Sequence, residues 1–423
     1  MLKPEIQEAY VNILKEELVP ATGCTEPIAV AYCAAKLRAV LGALPEKVLV
    51  EVSGNILKNV KSVVVPNTGG LKGVKAAVAV GIVAGQADRE LEVISSVPAE
   101  RHQEIATYLQ ETPIEIVCPD TPRMLDIRLS GWAGEHQATV HIANHHSNIV
   151  YIEKDGKPLL EKPLEDSSES GLTDKSLLNL KDILAFADEV DLSLVSELLE
   201  RQIQYNSAIA EEGLKNPWGA NIGATLLKEY GNNVKVEASA WAAAGSDARM
   251  SGCEMPVVIN SGSGNQGITS SLPVVRYAKH LSATQEQLYR ALLVSDLVTI
   301  YQKAGIGRLS AYCGAVSAGV GAGAGVAYLQ GAEYDAIAHT IVNAVAILSG
   351  TICDGAKPSC AAKIAASVDA GILGYQMYLN GRNFQGGDGI VGENVSETVA
   401  NVGVLAKEGM RSTDRTILRI MTQ

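Results

Sequence analysis

The segment EDSSESGLTDKS, residues 165–176, divides the chain into two parts with different hydrophobic periodicity. Before it, short β-branched runs such as KVLVEVSG (47–54) and ATVHIANH (138–145) alternate in part and are bounded by turn residues, which favours strands. After it, long segments such as YDAIAHTIVNAVAILSG (334–350) carry apolar residues at helical spacing. A polar, Gly/Ser-rich stretch between two such patterns is typical of a linker. The sequence therefore predicts an α+β protein, with a large all-α domain and a smaller α/β domain.

The same patterns set the expected domain limits. We expect the α/β domain over residues 46–164 and the all-α domain over residues 174–423. Further strands are predicted from LEVISSV (91–97), IEIVC (114–118), LDIRLSG (125–131) and NIVYIEK (148–154), with helices over 72–85 and 99–111 between them. An amphipathic helix at 5–18 and a second helix after Pro27 are predicted in residues 1–45. We expect those residues to pack with the all-α domain, which would make that domain discontinuous.

Composition and charge restrict the class of protein. The 423 residues include 2 Phe and 3 Trp but 40 Gly, which predicts helices that pack closely through small side chains. The net charge of −12, without a basic stripe, argues against a nucleic-acid partner, because phosphate backbones recruit clustered Lys and Arg. The uncharged Ala/Gly-rich runs around 311–332 and 336–353 predict buried helices rather than membrane spans, because Gly and Ala contribute little transfer energy.

The start of the chain, MLKPEIQEAYVNILKEEL, is charged and amphipathic, so it does not indicate a secretory signal, and we expect a cytoplasmic protein. The 7 cysteines are then expected to be reduced. Reduced thiols in a large chain are more often metal ligands or catalytic groups than disulfide partners.

Three cysteines stand out as candidate metal ligands. Cys353 and Cys360 bracket CDGAKPSC, where an apolar helical run ends in an irregular loop, and Cys313 precedes Gly314, which lets another group come close. Three thiolates from two segments suit a [4Fe–4S] cluster that keeps one iron open as a Lewis acid. The same spacing is compatible with buried structural thiols or a closed zinc site. Cys33, Cys118 and Cys253 are interpreted as small buried hydrophobes.

Cys24, in PATGCTEPIAV, is the candidate catalytic thiol. Pro27 favours a helix that begins at this point, so Cys24 would lie just before a helix N-terminus. The partial positive charge of that terminus stabilises a thiolate, which could act as a base or a nucleophile. The alternative is that Thr22 or Thr25 caps the helix and that the thiol has no role.

Two loops are predicted to bind an anionic group. The PNTGG loop (66–70) contains Asn67, Thr68 and Gly69 between a strand-like run and a helix, where backbone N–H groups could hold a carboxylate. The SGSGNQG loop (261–267) offers many uncharged donors between apolar residues and a helix. From it we select Ser263, Gly264, Asn265 and Gln266 as substrate-binding candidates. Simple turns are the alternative for both loops.

Together, TGCTEP, SGSGNQG, AYCGAVSAGVGAGAG and GTICDGAKPSCAAKIA resemble the L-cysteine desulfidase family, which is related to the iron–sulfur L-serine dehydratases. The resemblance covers essentially the whole chain. It implies an oxygen-sensitive [4Fe–4S] cluster on Cys313, Cys353 and Cys360, and a base at Cys24. It also implies substrate loops at residues 67–69 and 264–266.

The expected activity is therefore a β-elimination that converts L-cysteine to pyruvate, ammonia and sulfide, because a soft iron–sulfur site suits a soft thiol. L-Serine dehydration by the same mechanism is the nearest alternative. Two other classes stay open: a pyridoxal-phosphate β-eliminase, for which Lys303 would be the Schiff-base lysine, and a non-catalytic iron–sulfur or redox-sensing protein. We expect a small amino acid as the partner, neither nucleic acid nor membrane, and a homodimer as the assembly.

Overall fold

The computed structural model describes residues 2–23, 25–119, 121, 123–164, 172–231, 233–307 and 310–422. Its strands are β1 (Pro20–Thr22), β2 (Lys47–Val52), β3 (Ile114–Val117), β4 (Asp126–Ala133), β5 (His136–Ala143), β6 (Ile149–Lys154), β7 (Lys157–Glu161) and β8 (Pro256–Val258). Its helices in the first part are α1 (Pro4–Glu17), α2 (Thr25–Leu41), α3 (Gly54–Val60), α4 (Gly73–Ala84) and α5 (His102–Glu111). Those in the second part are α6 (Leu180–Glu189), α7 (Ser196–Lys215), α8 (Ile222–Tyr230), α9 (Val234–Met250), α10 (Gly264–His280), α11 (Gln285–Ile306), α12 (Gly314–Leu329), α13 (Tyr334–Leu348), α14 (Cys360–Leu379), α15 (Val395–Val404) and α16 (Arg411–Thr422).

The smaller part is a six-stranded sheet in the order β3-β2-β4-β5-β6-β7. The β2–β3 pair is parallel, and the other neighbouring pairs are antiparallel. Alternation along β2 turns Val48, Val50 and Val52 into the core, where they meet the apolar residues of α2 and α4. One covered face explains why these strands alternate apolar and polar residues.

The larger part is a helical core built around α12, which is buried along nearly all of its length. It packs between α11 and α14, and its glycines allow the backbones to approach. A Cβ atom added at Gly323 would lie 2.5 Å from the carbonyl oxygen of Gly371 in α14. The predicted α+β class is confirmed, with the helical part the larger of the two.

The N-terminal helices divide between the two cores, which corrects one expectation. Helix α1 contributes Tyr10, Ile13 and Leu14 to the helical core, as expected for residues 1–45. Helix α2 instead packs on α4 and on β4 and β5 of the sheet, and its apolar residues belong to the α/β core. Because α2 is apolar on nearly every face, it must be covered on several sides, and α4 with strands β4 and β5 provides that cover.

One strand prediction differs from the structure. LEVISSV was predicted as a strand, but its first residues end a 3-10 helix (Ala87–Glu92) and the rest form turns, so that prediction was wrong. Its apolar residues Val93, Ile94 and Val97 are buried against α2 and α4 without pairing to a strand. None of the helices in the described ranges combines the length and apolar character that a membrane crossing requires.

Candidate active site

The candidate site is a cavity of about 120 Å³ between the two parts of the molecule. Backbone pairing between segments that are distant in the chain brings two of its walls together. Strand β1 pairs antiparallel with β8, so the chain that enters α2 runs beside the strand that leads into the SGSGNQG loop. On the opposite wall, Tyr312 bridges to Ile352, and the Cys353 N–H donates to the Ala311 carbonyl at 2.6 Å.

Cys313, Cys353 and Cys360 all line this cavity. Cys313 precedes the first residue of α12, Cys360 is the first residue of α14, and Cys353 lies in the loop between α13 and α14. The Cys360 thiol donates to the Gly355 carbonyl at 3.6 Å. The two helix starts and the bridge between their preceding segments therefore place the three thiols on one side of the cavity.

Hydrogen bonding and burial shift the pKa values of these three thiols in different directions. The Cys313 thiol donates to the Cys353 sulfur, which lowers the pKa of Cys353, and nearby Lys58 and Lys303 lower it further. The same hydrogen bond, with burial, raises the pKa of Cys313. Burial raises the pKa of Cys360. The group therefore carries one favoured thiolate, at Cys353, in a wall that also contains two ammonium groups.

The donor set fits an iron–sulfur cluster in kind, because three soft thiols share one wall with cations that offset thiolate charge. As the side chains stand, no group of three or more His, Cys, Asp or Glu residues within the described ranges is arranged to hold a single metal ion. The role of these cysteines as ligands therefore stays a prediction.

Two buried lysines differ in their partners. Lys58 in α3 is 1% exposed and forms an ion pair with Asp414 of α16, with 2.6 Å between Nζ and Oδ1. Lys303 in α11 lies beside the thiols, and burial lowers its pKa to about 8, against the opposing effect of Cys353 and Cys313. The charge of Lys58 is thus matched within the protein, whereas that of Lys303 faces the sulfur atoms.

The SGSGNQG loop reaches the cavity through Ser263, Asn265 and Gln266. The Gln266 side chain lies against Gly314, where an added Cβ would be 2.6 Å from its Cδ atom, so Gly314 makes room for this amide. The Gln266 Oε1 atom is buried without a hydrogen-bond partner among the described residues. Gly264 lies behind this surface and packs against Arg249.

The PNTGG loop does not contribute side chains to the same cavity. Asn67 donates to the Ile94 carbonyl at 2.9 Å, and the Thr68 hydroxyl donates to the Val65 carbonyl at 2.7 Å. Gly69 lies next to the His102 ring. These polar groups are used within their own part of the fold, so the predicted substrate role of Asn67, Thr68 and Gly69 has no contact in its favour.

Cys24 lies outside the described residues, so its side chain is not placed. The residues on either side of it are placed. Helix α2 begins at Thr25, and the Gly23 carbonyl accepts a hydrogen bond from Arg249 at 3.0 Å. Glu26, two residues further on, lines the cavity. The prediction that Cys24 precedes a helix agrees with the start of α2, while its catalytic role stays a prediction.

Three charged cavity residues were not singled out from the sequence: Glu26, Lys58 and Arg249. Glu26 accepts from the Thr25 hydroxyl at 3.3 Å and from the Asn59 amide at 3.5 Å. Arg249 is the one arginine between Arg201 and Arg276, and it ends an Ala-rich helical run, WAAAGSDARM. A lone cation in a run that is otherwise suited to burial was the signal that could have identified it.

Comparison with known proteins identifies the family of this chain. The serine dehydratase alpha chain family matches residues 88–419, so the chain belongs to that family. The expected relationship to the iron–sulfur serine dehydratases is thereby confirmed, and membership supports a lyase-type function.

Close relatives extend the similarity over the whole chain. A UPF0597 protein of Desulfitobacterium hafniense is 59% identical over 414 residues, which cover 98% of this chain and 96% of the relative. A UPF0597 protein of Lachnoclostridium phytofermentans is 51% identical over 411 residues, covering 97% and 98%. One of Treponema denticola is 47% identical over 420 residues, covering 98% and 97%.

Proposed function

We propose that this protein is a β-elimination lyase that converts L-cysteine to pyruvate, ammonia and sulfide, with L-serine as the alternative substrate. One observation carries the proposal: in a member of the serine dehydratase alpha chain family, three thiols and the SGSGNQG loop line one small cavity beside the start of α2. A cavity of about 120 Å³ suits a small amino acid.

Cys313, Cys353 and Cys360 would hold a [4Fe–4S] cluster in this proposal. Bound there, such a cluster supplies Lewis-acid polarisation of the substituent that leaves the β-carbon. The lysines beside the thiols, Lys58 and Lys303, offset the negative charge that three thiolates would bring into a buried wall. Soft sulfur chemistry at this wall favours the thiol of cysteine over the hydroxyl of serine.

The chain itself would supply proton transfer and orientation. Cys24, at the start of α2, removes the α-proton as a thiolate that the helix N-terminus stabilises. The electron pair of that C–H bond forms the Cα–Cβ double bond as the C–S bond breaks and hydrosulfide leaves. The resulting aminoacrylate tautomerises to an imine, which water hydrolyses to pyruvate and ammonia. Donors of Ser263, Asn265 and Gln266 hold the substrate so that its Cα–H faces the base.

Anaerobic purification followed by paired assays tests this proposal. We expect about four iron atoms per chain, a broad visible absorption that oxygen bleaches, and pyruvate from cysteine at a higher kcat/KM than from serine. Cys353→Ala should lose iron and activity together, whereas Cys24→Ala should keep iron and lose turnover. Cys253→Ala, at a buried thiol that does not line the cavity, is the matched control and should keep both.

Each outcome bears on one part of the proposal. Full pyruvate production by Cys24→Ala would remove Cys24 as the base. Iron without turnover of either amino acid in the parent protein would favour a non-catalytic iron–sulfur or redox-sensing role. A higher kcat/KM for serine would make the protein an L-serine dehydratase that uses the same residues.

A pyridoxal-phosphate lyase is the second candidate, because the buried Lys303 has a pKa lowered to about 8 and lines the cavity. Against it, a pyridoxal cofactor would leave the three thiols that line the same cavity without a role. A sharp aldimine absorption band that Lys303→Ala abolishes would favour this alternative.

A further inference from the structure

Arg249 is a buried cation whose hydrogen bonds leave part of its charge unmatched. It lies near the end of α9, is 5% exposed and lines the cavity. Its Nη1 donates to the Asn265 side-chain oxygen at 3.2 Å, and its Nη2 donates to the Gly23 carbonyl at 3.0 Å. Its Nε is buried without a hydrogen-bond partner in the described part of the chain. Both partners are uncharged, and no Asp or Glu in the described ranges forms an ion pair with it.

Burying an arginine side chain without a negatively charged partner costs free energy of folding unless another group compensates for its charge. A charged group that is removed from water is retained in proteins when it is paired or binds a ligand. Arg276 shows the usual solution in this chain, since it pairs with Glu237 and stacks on Trp241. Lys58 has a carboxylate partner as well. Arg249 therefore differs from these cations in having its compensating anion still to be supplied.

The surrounding residues orient the guanidinium rather than neutralise it. Asn265 belongs to the SGSGNQG loop, and Gly23 belongs to the segment that enters α2, so Arg249 joins the two walls that β1 and β8 bring together. Gly264 is needed for this position, because a Cβ there would lie 2.3 Å from the Arg249 Nε atom. The planar fork of donors in arginine matches the two oxygens of a carboxylate.

We propose that Arg249 binds the α-carboxylate of the substrate and so restricts the site to small carboxylic acids. The inference rests on the proposed function for the identity of the substrate as an amino acid. Asn265 and the Gly23 carbonyl act as positioning groups that hold the guanidinium toward the cavity. Glu26, three residues after Gly23 in the chain, also lines this cavity and would place a carboxylate near the α-ammonium group. The Arg249 guanidinium and the Glu26 carboxylate carry charges opposite to those of the carboxylate and ammonium groups of an amino acid.

The test compares two ligands that cannot react because they have no leaving group: L-alanine and L-alaninamide, which lacks the carboxylate charge. Binding to the anaerobically purified protein is measured by calorimetry, without turnover. In the parent protein, L-alanine should bind about 30-fold more tightly than L-alaninamide, as expected for one charge-assisted bidentate contact. In Arg249→Gln, L-alanine should lose about that factor while L-alaninamide changes by less than about threefold.

This difference separates recognition from a merely structural role. If Arg249 only joined the two walls, Arg249→Gln would weaken both ligands equally, and that result would overturn the inference. Absence of L-alanine binding to the folded parent protein would overturn it too. Arg249→Lys, which keeps the charge but loses the fork, should give an intermediate preference for L-alanine and tests the inference if Arg249→Gln does not fold.

Arg38→Gln is the matched control, because Arg38 donates to the backbone carbonyls of Ile82 and Val83 and does not line the cavity. It should leave the preference for L-alanine unchanged. The pyruvate assay keeps the two proposals separate. If the protein makes no pyruvate but prefers L-alanine through Arg249, this inference stands and the proposed β-elimination is wrong. If it makes pyruvate but shows no preference that depends on Arg249, the β-elimination stands and this inference is wrong.

Discussion

The SGSGNQG and PNTGG loops have the same sequence character but different positions relative to the cavity. Both place glycine and a neighbouring polar residue at positive φ: Ser261 and Gly262 in one loop, Asn67 and Gly69 in the other. The PNTGG loop precedes α4, whereas the last four residues of SGSGNQG form the first turn of α10, which begins at Gly264. The backbone conformations that glycine, serine and asparagine favour are therefore present in both, and they do not distinguish a binding loop from a turn.

What distinguishes the loops is the use of their polar side chains. Thr68 and Asn67 donate hydrogen bonds to backbone carbonyls of their own part of the fold. In the other loop, Gln266 keeps a buried oxygen without a partner in the described residues, and Asn265 orients Arg249 toward the cavity. Unsatisfied buried polar atoms at a cavity indicate a ligand more strongly than Gly-rich composition does.

The largest expected effect comes from adding one methyl group to each loop. Gly264→Ala would place a Cβ 2.3 Å from the Arg249 Nε and 2.8 Å from Val257 Cγ2. We expect it to lower the free energy of unfolding by about 3 kcal/mol through overpacking and kcat/KM by about 100-fold or more, because the guanidinium is displaced. Urea unfolding and pyruvate assays measure the two quantities.

Gly70→Ala is its counterpart in the PNTGG loop. Its φ of +94° is unfavourable for alanine, but nothing lies within 4 Å of an added Cβ. We expect a cost of about 1–2 kcal/mol from the backbone alone, with kcat/KM retained. Equal losses of activity in the two variants would contradict the assignment of only one loop to the site.

Much of this architecture could be predicted from local patterns. Alternation in KVLVEVSG, helical spacing in residues 334–350 and the polar segment at 165–176 together indicated α+β with a large helical part. The placement of α2 could not be predicted in the same way, because a helix that is apolar on most faces fits either core. The strand prediction for LEVISSV was wrong because its apolar residues are buried by contacts to helices. Such burial gives no periodic signal distinct from that of a short strand.

Some residues of the candidate site could be predicted from the sequence and others could not. Cys313, Cys353 and Cys360 could be selected because thiols are rare and chemically specific, and their loops carry glycine and proline. Lys58 and Glu26 could not, because a single charged residue in a helix is ordinarily solvated and only the tertiary fold buries it, whereas Arg249 had a weak signal as the lone cation of an Ala-rich run. The pairing of β1 with β8, which brings Gly23 to the SGSGNQG loop, joins segments more than two hundred residues apart.

The next effect concerns the support of the SGSGNQG loop by a buried carboxyl group. Asp296 Oδ1 accepts from Gln202 at 3.0 Å, Asn260 at 3.0 Å and Ser270 at 2.7 Å, all of them neutral donors. Burial raises the Asp296 pKa from 3.8 to about 6. The folded chain therefore holds this proton up to about pH 6, whereas the unfolded chain releases it near pH 4. Stability should fall by up to about 3 kcal/mol as pH rises through that window.

Asp296→Asn should remove this contribution and keep the three acceptor contacts. Asp247, whose pKa burial also raises to about 6, stays in the variant, so the slope between pH 4 and 6 should decrease by about half rather than vanish. Urea midpoints at a series of pH values measure the slope. The PNTGG loop offers the control. Thr68→Val removes hydrogen bonds between uncharged groups, so it should lower the free energy of unfolding equally at every pH without changing the slope. An unchanged slope in Asp296→Asn would contradict the role given to this carboxyl group.

The smallest expected effect tests side chains of the two loops against each other. Gln266→Ala removes an amide that lines the cavity, and we expect kcat/KM to fall about tenfold, as for the loss of one hydrogen bond to a charged ligand. Asn67→Ala removes the hydrogen bond to the Ile94 carbonyl, so the free energy of unfolding should fall by about 1 kcal/mol with kcat/KM nearly unchanged. If Asn67→Ala instead lowered kcat/KM as much as Gln266→Ala, the PNTGG loop would reach the substrate, as its sequence suggests. The cavity of the working enzyme would then extend beyond the one that the cysteines and Arg249 enclose.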